Sequence, residues 1–350
     1  MLTNQEQYAE AHSARFICTA NHGFAPYAQE ELRRVFGSVK SSVIVQSEVF
    51  LATLPREQSA VNDLLTREPL IFLRHVFPVQ FEENVEDQEA SFARLYRYLM
   101  AHPALQEGTF ALQVRKTEES AWTETSGTLK QYILAGIDEL HAEHTVQDAD
   151  KVVSVYLTGE RLYAGVSAPA DNLSDWNGGA VRFQKEEGQI SRAKFKLLEA
   201  EKTLGIPFSS FHRALDIGAA PGGWTSFLLE RGLQVTAVDP AKMNPSLLDH
   251  PNLKYLSKNA GDVKFRDNEF DLLVCDMSWS PKLMAKLVTG LLDSLQSGGT
   301  AVVTVKLMHK KPMALIREVI EVFEDARMQV QRAKQLFHNR DEITLYMIKY

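Results

Sequence analysis

The chain has 350 residues, 45% of them hydrophobic, which is enough to bury a core in more than one domain. A net charge of −7 and only two cysteines, Cys18 and Cys275, exclude a disulfide framework, a cysteine-rich zinc site and a uniformly basic surface. Met1 to Ala14 are polar and acidic rather than signal-like, and no apolar run approaches membrane-spanning length, so a cytoplasmic globular protein without membrane attachment is expected.

In chain order, Phe16 to Ala20 reads as a strand and Pro26 to Phe36 as a helix with Arg33 and Arg34 in its last turn; Ser42 to Leu54 reads as further strand. Residues 1–55 thus form one small α+β module. From Glu57 to Met100 the pattern is helical around an apolar stretch, Leu70 to Val79. Thr109 to Val114 predicts a strand and Thr128 to Glu143 a helix. Lys151 to Leu157 and Arg161 to Val166, joined by Thr158-Gly159-Glu160, predict a hairpin. Residues 56–168 make a second mixed module. Residues 169–190 are rich in Pro, Gly, Asn and Asp and read as a linker.

A different pattern begins at Ser191, which suits the cap of a helix from Arg192 to Lys202. Strands then alternate with helices: strands at Arg213–Ile217, Leu233–Val238, Leu253–Leu256, Phe270–Cys275 and Gly298–Val305, helices at Gly222–Arg231, Pro281–Ser294 and Pro312–Ala326. Near-continuous apolar strands separated by helices predict an α/β domain over 191–350 with a parallel sheet covered on both faces. Met328–Gln335 and Glu342–Lys349 lie too close for a helical crossover and should pair antiparallel. Charge follows the same division, with 12 Lys and Arg against 22 Asp and Glu over residues 1–150 and 26 against 23 over 151–350. A polyanion is better met by the second half, although two solvated domains of different origin account for the asymmetry equally well.

Ala214 to Trp224 (ALDIGAAPGGW) is an apolar strand running into a glycine-rich turn and a helix. Gly218 permits a tight turn, Gly222 and Gly223 remove side-chain bulk, and the helix start offers unpaired amides to a ligand. Asp239 ends the next strand, where doubly wound folds place an acid against ribose hydroxyls. The turn lacks the G-x-G-x-x-G spacing that packs a pyrophosphate, and Asp216 adds a carboxylate. That sign suits a ligand bearing an ammonium and a sulfonium, so S-adenosylmethionine is favoured over a dinucleotide.

D-x-G-x-x-P-G-G-W, preceded by Ser191-Arg-Ala-Lys-Phe-Lys196-Leu, resembles the FtsJ-like family of RNA 2'-O-ribose methyltransferases. The resemblance implies a Rossmann-like class I methyltransferase domain, a mostly parallel seven-stranded sheet with an antiparallel last strand. Before it, the resemblance is weaker and implies α+β modules of ferredoxin-like (1–55) and THUMP-like RNA-binding (56–168) type, as in members that act on large-subunit ribosomal RNA. It also implies a Lys-Asp-Lys-Glu tetrad, carried here by Lys196 in SRAKFKL, Asp276 in VCDM, Lys306 in VTVKL and Glu342 in DEITL. The cofactor is expected to touch Ser191, Asp216, Gly218, Ala220, Pro221, Gly222, Gly223, Trp224, Asp239 and Asp276. The members that act on large-subunit ribosomal RNA tend to have Cys where this chain has Ala220. An acid near the adenine falls on Asp262, with Asn259 as the alternative; Ser191 serves equally as a helix cap.

A ribose hydroxyl is a poor nucleophile at neutral pH, so a positioned base helps it attack the methyl group. Lys306 is assigned that role, Lys196 supplies a neighbouring positive charge, and Asp276 and Glu342 hold the two amines; no metal is needed. Lys310 and Lys311, which follow His309, and Arg192, Lys194 and Arg340 either hold RNA phosphates or form a solvated face. Trp279 in DMSW either stacks on a substrate base or packs on the next helix. Two rivals remain: a base-nitrogen methyltransferase, which an Asp/Asn-Pro-Pro-aromatic motif would mark, and a non-catalytic RNA-binding module. The oligomeric state is not legible.

Overall fold

A computed structural model describes residues 13–184, 187–307 and 311–350, so His309 and Lys310, and the first twelve residues, lie outside the described residues. The chain divides into two compact units, Met1–Ala180 and Val181–Tyr350.

The first unit opens with β1 (Ala14–Thr19), α1 (Ala25–Phe36), β2 (Lys40–Val45), β3 (Val49–Leu54), α2 (Gln58–Arg67) and β4 (His75–Pro78). Their sheet has the order β2-β3-β1-β4 and is antiparallel throughout. The single strand expected over 42–54 is instead a hairpin, because the polar turn at Gln46, Ser47 and Glu48 places Ser47 at φ 60. The helical pattern expected over 57–100 is also corrected. Its apolar centre forms β4, whose four residues are all buried against β1. A short continuous apolar run fits a core strand and a buried helix alike, and tertiary pairing chose the strand. The fourth strand therefore takes this sheet past the boundary expected at residue 55.

β5 (Phe81–Asn84), α3 (Gln88–Met100), β6 (Thr109–Lys116), α4 (Ser126–Gly136), β7 (Glu143–His144), β8 (Lys151–Leu157) and β9 (Arg161–Ser167) build a second sheet of order β5-β9-β8-β6-β7. The helix expected over 128–143 stops at Gly136, where a Cβ would lie 2.3 Å from the Tyr96 ring of α3. Residues 169–180 are not a loose linker. Arg74 Nε donates to Gly178 O at 3.0 Å, and Cβ atoms at Gly178 and Gly179 would fall 2.7 and 2.8 Å from Arg115 and Arg74.

The second unit comprises α5 (Lys194–Thr203), β10 (Arg213–Ile217), α6 (Gly223–Glu230), β11 (Gln234–Val238), α7 (Pro245–Leu248), β12 (Leu253–Leu256), β13 (Phe270–Cys275), α8 (Pro281–Thr289), β14 (Leu295–Lys306), α9 (Pro312–Asp325), β15 (Met328–Lys334) and β16 (Glu342–Lys349). Its sheet runs β12-β11-β10-β13-β14-β16-β15, with the first five strands parallel and β16 antiparallel to both neighbours. This is the Rossmann-like α/β fold expected, including the antiparallel final strand. Ala214 to Ile217 are all buried, as a strand covered on both faces requires, and Ala214 shares a core with Leu197, Phe227, Leu228, Val274 and Val302. The chain order reverses between β10 and β13, and a crevice opens there at the carboxyl ends of the strands.

Candidate active site

Register builds the site. Ile217 pairs with Val238 on one side and Cys275 on the other, so the residues that follow, Gly218, Asp239 and Asp276, leave the sheet side by side. They line a crevice of about 280 Å³ together with Ala220, Asn259, Met277 and Trp279. Gly218 has φ +73, and a Cβ there would lie 2.4 Å from Met277 Cγ, so both conformation and space require glycine. Asp239 is held at the strand end by two amides, Ala220 N to Oδ2 at 3.1 Å and Ala241 N to Oδ1 at 2.7 Å.

Of the residues expected around a cofactor, Gly218, Ala220, Asp239 and Asp276 are brought together on the crevice wall. Others support the wall from behind. Asp216 is 1% exposed and accepts from Thr225 Oγ1 at 2.6 Å; burial, with Asp276 and Asp239 nearby, pushes its carboxyl up to about 7. Gly222, at φ +110 after Pro221, faces Leu247 and Met243, and Gly223 packs on Ser191. Ser191 Oγ accepts from Ala193 N at 3.1 Å, and the buried Trp224 donates Nε1 to Ala193 O at 2.9 Å. Asn259, not Asp262, lines the crevice; Asp262 accepts from Asn259 Nδ2 at 3.2 Å and orients it. A nucleoside with a cationic end fits these walls: apolar Val238 and Leu287, the amide of Asn259, and carboxylates at Asp239 and Asp276.

The four residues of the expected tetrad come together although they arise from four separate elements. Lys196 Nζ lies 3.0 and 2.9 Å from the two oxygens of Asp276 and 2.6 Å from Glu342 Oε1. Lys306 Nζ donates to Glu342 Oε2 and stands 3.9 Å from Asp276 Oδ1. Burial pulls the Lys196 ammonium down, but Asp276 and Glu342 outweigh it and raise its pKa above the ordinary lysine value. Lys196 is thus tied to two carboxylates at close range, whereas Lys306 has one close partner and keeps 27% of its side chain exposed against 15% for Lys196.

Several supports were not foreseen. Thr304 Oγ1 donates to Asp276 Oδ1 at 2.8 Å; it precedes Lys306 by two positions and so shares its strand face, a signal the sequence did carry. Asn339 Nδ2 reaches Glu342 Oε1 at 3.4 Å, while Asn339 Oδ1 accepts from Leu336 N at 2.9 Å and Thr344 Oγ1 at 3.1 Å. Lys194 is 4% exposed and paired with Glu230 at 2.8 Å, which removes it from the phosphate candidates; Arg192, Lys311 and Arg340 are exposed. Trp279 stands on the crevice wall, away from a second, larger cavity. That cavity, about 740 Å³, is lined by Lys196, Lys306 and Glu342 with Arg192, Phe195, Phe337, His338 and Arg340. The Lys196–Asp276 ion pair joins the two spaces.

Residues 189–337 match the model of the FtsJ-like methyltransferase family. Among curated relatives, "Ribosomal RNA large subunit methyltransferase M" of Halorhodospira halophila is 36% identical over 176 residues, covering 49% of this chain and 50% of the relative. The protein of the same name from Laribacter hongkongensis is 35% identical over 219 residues, covering 58% and 60%. The chain spans about half to three-fifths of the length of these relatives. Among solved structures, TrmN from Thermus thermophilus is 15% identical with a TM-score of 0.41, covering 96% of this chain and all of that one.

Proposed function

We propose, from the match of residues 189–337 to the FtsJ-like methyltransferase family, that this chain is an enzyme that methylates a ribose 2'-hydroxyl of large-subunit ribosomal RNA with S-adenosylmethionine as donor. One observation carries the reaction type: the tetrad stands between a crevice suited to a cationic nucleoside and a separate cavity bounded by arginines and aromatic rings. The names of the relatives supply the RNA.

Asp239 would hold the donor's ribose, Asn259 its adenine and Asp276 would face its cationic end. S-adenosylmethionine supplies a methyl group on a sulfonium, already activated for displacement. What remains for the protein is alignment and one proton acceptor. Lys196, locked to Asp276 and Glu342, holds its proton and contributes fixed positive charge. Lys306 Nζ, less tied and open to the larger cavity, would first give a proton to water and then, as the neutral amine, take the hydroxyl proton as the oxygen attacks. Glu342 keeps both amines in register. A base-nitrogen methyltransferase is less well supported, since Trp279 lies on the donor wall rather than in the acceptor cavity, and DMSW lacks the prolines of that motif.

In the first unit, the order β2-β3-β1-β4 with β-α-β-β-α-β succession supports reading it as a ferredoxin-like module, and we assign the following sheet to a THUMP-like role in gripping RNA. Among the described residues no helix is long and apolar enough to cross a membrane; a ribosomal RNA substrate would support a cytoplasmic location.

Lys306→Ala tests the assignment. Transfer to ribosomal RNA should fall about 10²- to 10⁴-fold with donor binding and folding retained. Persistent transfer in that variant removes Lys306 as the base, and mass spectrometry that finds no missing ribose methyl group in ribosomal RNA from cells lacking the protein removes the reaction.

A further inference from the structure

The larger cavity has one wall that proton transfer does not use. Phe195, on α5, and Phe337 and His338, in the turn between β15 and β16, are half-buried rings lining it. Phe195 and His338 have centroids 5.2 Å apart at 42°, and Phe337 meets His338 edge-on at 5.2 Å and 71°. Phe183 stacks behind both, 5.5 Å from Phe195 at 27° and 5.5 Å from His338 at 25°. The turn is rigidly held. Glu199, 2% exposed on α5, accepts Phe337 N at 2.7 Å and His338 N at 2.8 Å, so the helix that carries Lys196 also fixes the rings. Asn339 links the same turn to Glu342.

A single hydroxyl needs little room. A cavity of about 740 Å³ falls in the range of about 300–1,000 Å³ that accepts a whole drug-sized ligand. Its chemistry combines aromatic faces, two exposed guanidinium groups at Arg192 and Arg340, and the lysine pair, with opposing carboxylates at Asp341 on the rim and at Glu342 between the lysines. Those features answer the three parts of a nucleotide: a base with a π-face, phosphates, and a sugar hydroxyl. Burial pushes the His338 imidazole down against the opposing effect of a backbone hydrogen bond with Val181, so the ring presents a neutral face at pH 7. A base paired inside a duplex has both faces covered and cannot use such a wall.

We propose that Phe195, Phe337 and His338 stack the base of the unpaired nucleotide whose ribose reaches Lys306, with Arg192 and Arg340 on its flanking phosphates, and that this wall restricts the enzyme to single-stranded targets. The inference rests on the proposed ribose chemistry for its orientation, but its test does not need turnover.

The full chain is titrated with a single-stranded oligoribonucleotide carrying 2-aminopurine, a base whose fluorescence is quenched by stacking. Quenching is expected with the unaltered chain and with Phe337→Tyr. Phe337→Leu, which keeps the bulk and removes the π-system, should lose the quench and bind roughly ten- to a hundredfold more weakly. Arg340→Ala should weaken binding in a salt-dependent way and retain the quench. Unchanged quenching in a Phe337→Leu chain whose thermal unfolding matches the unaltered protein overturns the wall, as does equal affinity for the same strand in a duplex. Quenching without ribose methylation of ribosomal RNA leaves the wall standing and removes the reaction; methylation without quenching does the reverse.

Discussion

Lys306 and Glu342 are directly opposed cross-strand partners in the antiparallel ladder of β14 and β16, and their side chains meet on one face of the sheet. The sequence separation is irrelevant to that contact. The ladder fixes it, because a one-residue slip would turn either side chain to the opposite face. The antiparallel last strand is therefore what delivers a carboxylate to the amine.

Glu342 is the carboxylate that both lysines hold at close range, and its side chain is only 4% exposed. Glu342→Ala leaves two cations without their buried partner. Breaking a buried pair in this way costs about 3–5 kcal/mol, so urea unfolding should show a loss of that size and methyl transfer should disappear. A loss below about 1 kcal/mol would falsify the idea that this carboxylate balances the site.

The buried carboxyl of Asp216 predicts a pH dependence of stability in the donor-free protein. Its folded pKa is raised from 3.8 to about 7, so between these values the folded chain keeps a proton that the unfolded chain has lost. Stability contributed at this position therefore falls as pH rises from about 4 to about 7 and is level above that. At about 1.4 kcal/mol per pH unit, the total is on the order of 4 kcal/mol. Asp216→Asn should gain stability relative to the unaltered protein at pH 8 and show little difference at pH 4. Urea unfolding at both pH values checks this; a gap that stays the same removes the cause assigned.

Gly218 and Gly205 both have positive φ, but only Gly218 is crowded. A left-handed non-glycine residue costs about 1–2 kcal/mol, and Gly205→Ala should show that alone, with donor affinity intact. Gly218→Ala must also displace Met277 and should lose both more stability and donor binding, measured by calorimetry. Equal behaviour of the two variants would remove the close-approach role of Gly218.

Arg340 and Lys194 separate charge from packing. Arg340→Ala should lower the slope of log affinity for RNA against log salt by about 1, as expected for one lost phosphate contact. Lys194→Met removes the buried ammonium that pairs with the exposed Glu230 and should lower thermal stability while leaving the salt slope unchanged. A slope change in Lys194→Met would return that lysine to the RNA surface.

The site was largely legible because its residues sit at strand ends that local pattern marks. The alternation of apolar strands and helices, the glycine turn at Gly218 and the acids at Asp239 and Asp276 are local features, and the physics that specifies them acts within a few residues. Where several partners compete, local pattern gave less. The run Leu70 to Val79 satisfies a helix and a strand equally, and only the offer of a pairing edge on β1 decided it. The resemblance points to an acid at Asp262, yet Asn259 is the residue on the wall, with Asp262 one short turn behind it.

Sequence alone determined that a parallel, doubly covered sheet exists, that the turn after its first strand is the candidate ligand site, and which four residues are candidates for the chemistry. Tertiary structure decided how these share charge: Lys196 is bound between two carboxylates while Lys306 keeps one close partner and an open side, a distinction set by the register of β14 on β16 and by the seat of α5. Local interactions fix element type and order, whereas distances of 2.6 to 3.9 Å between residues on separate elements arise only when the core has packed.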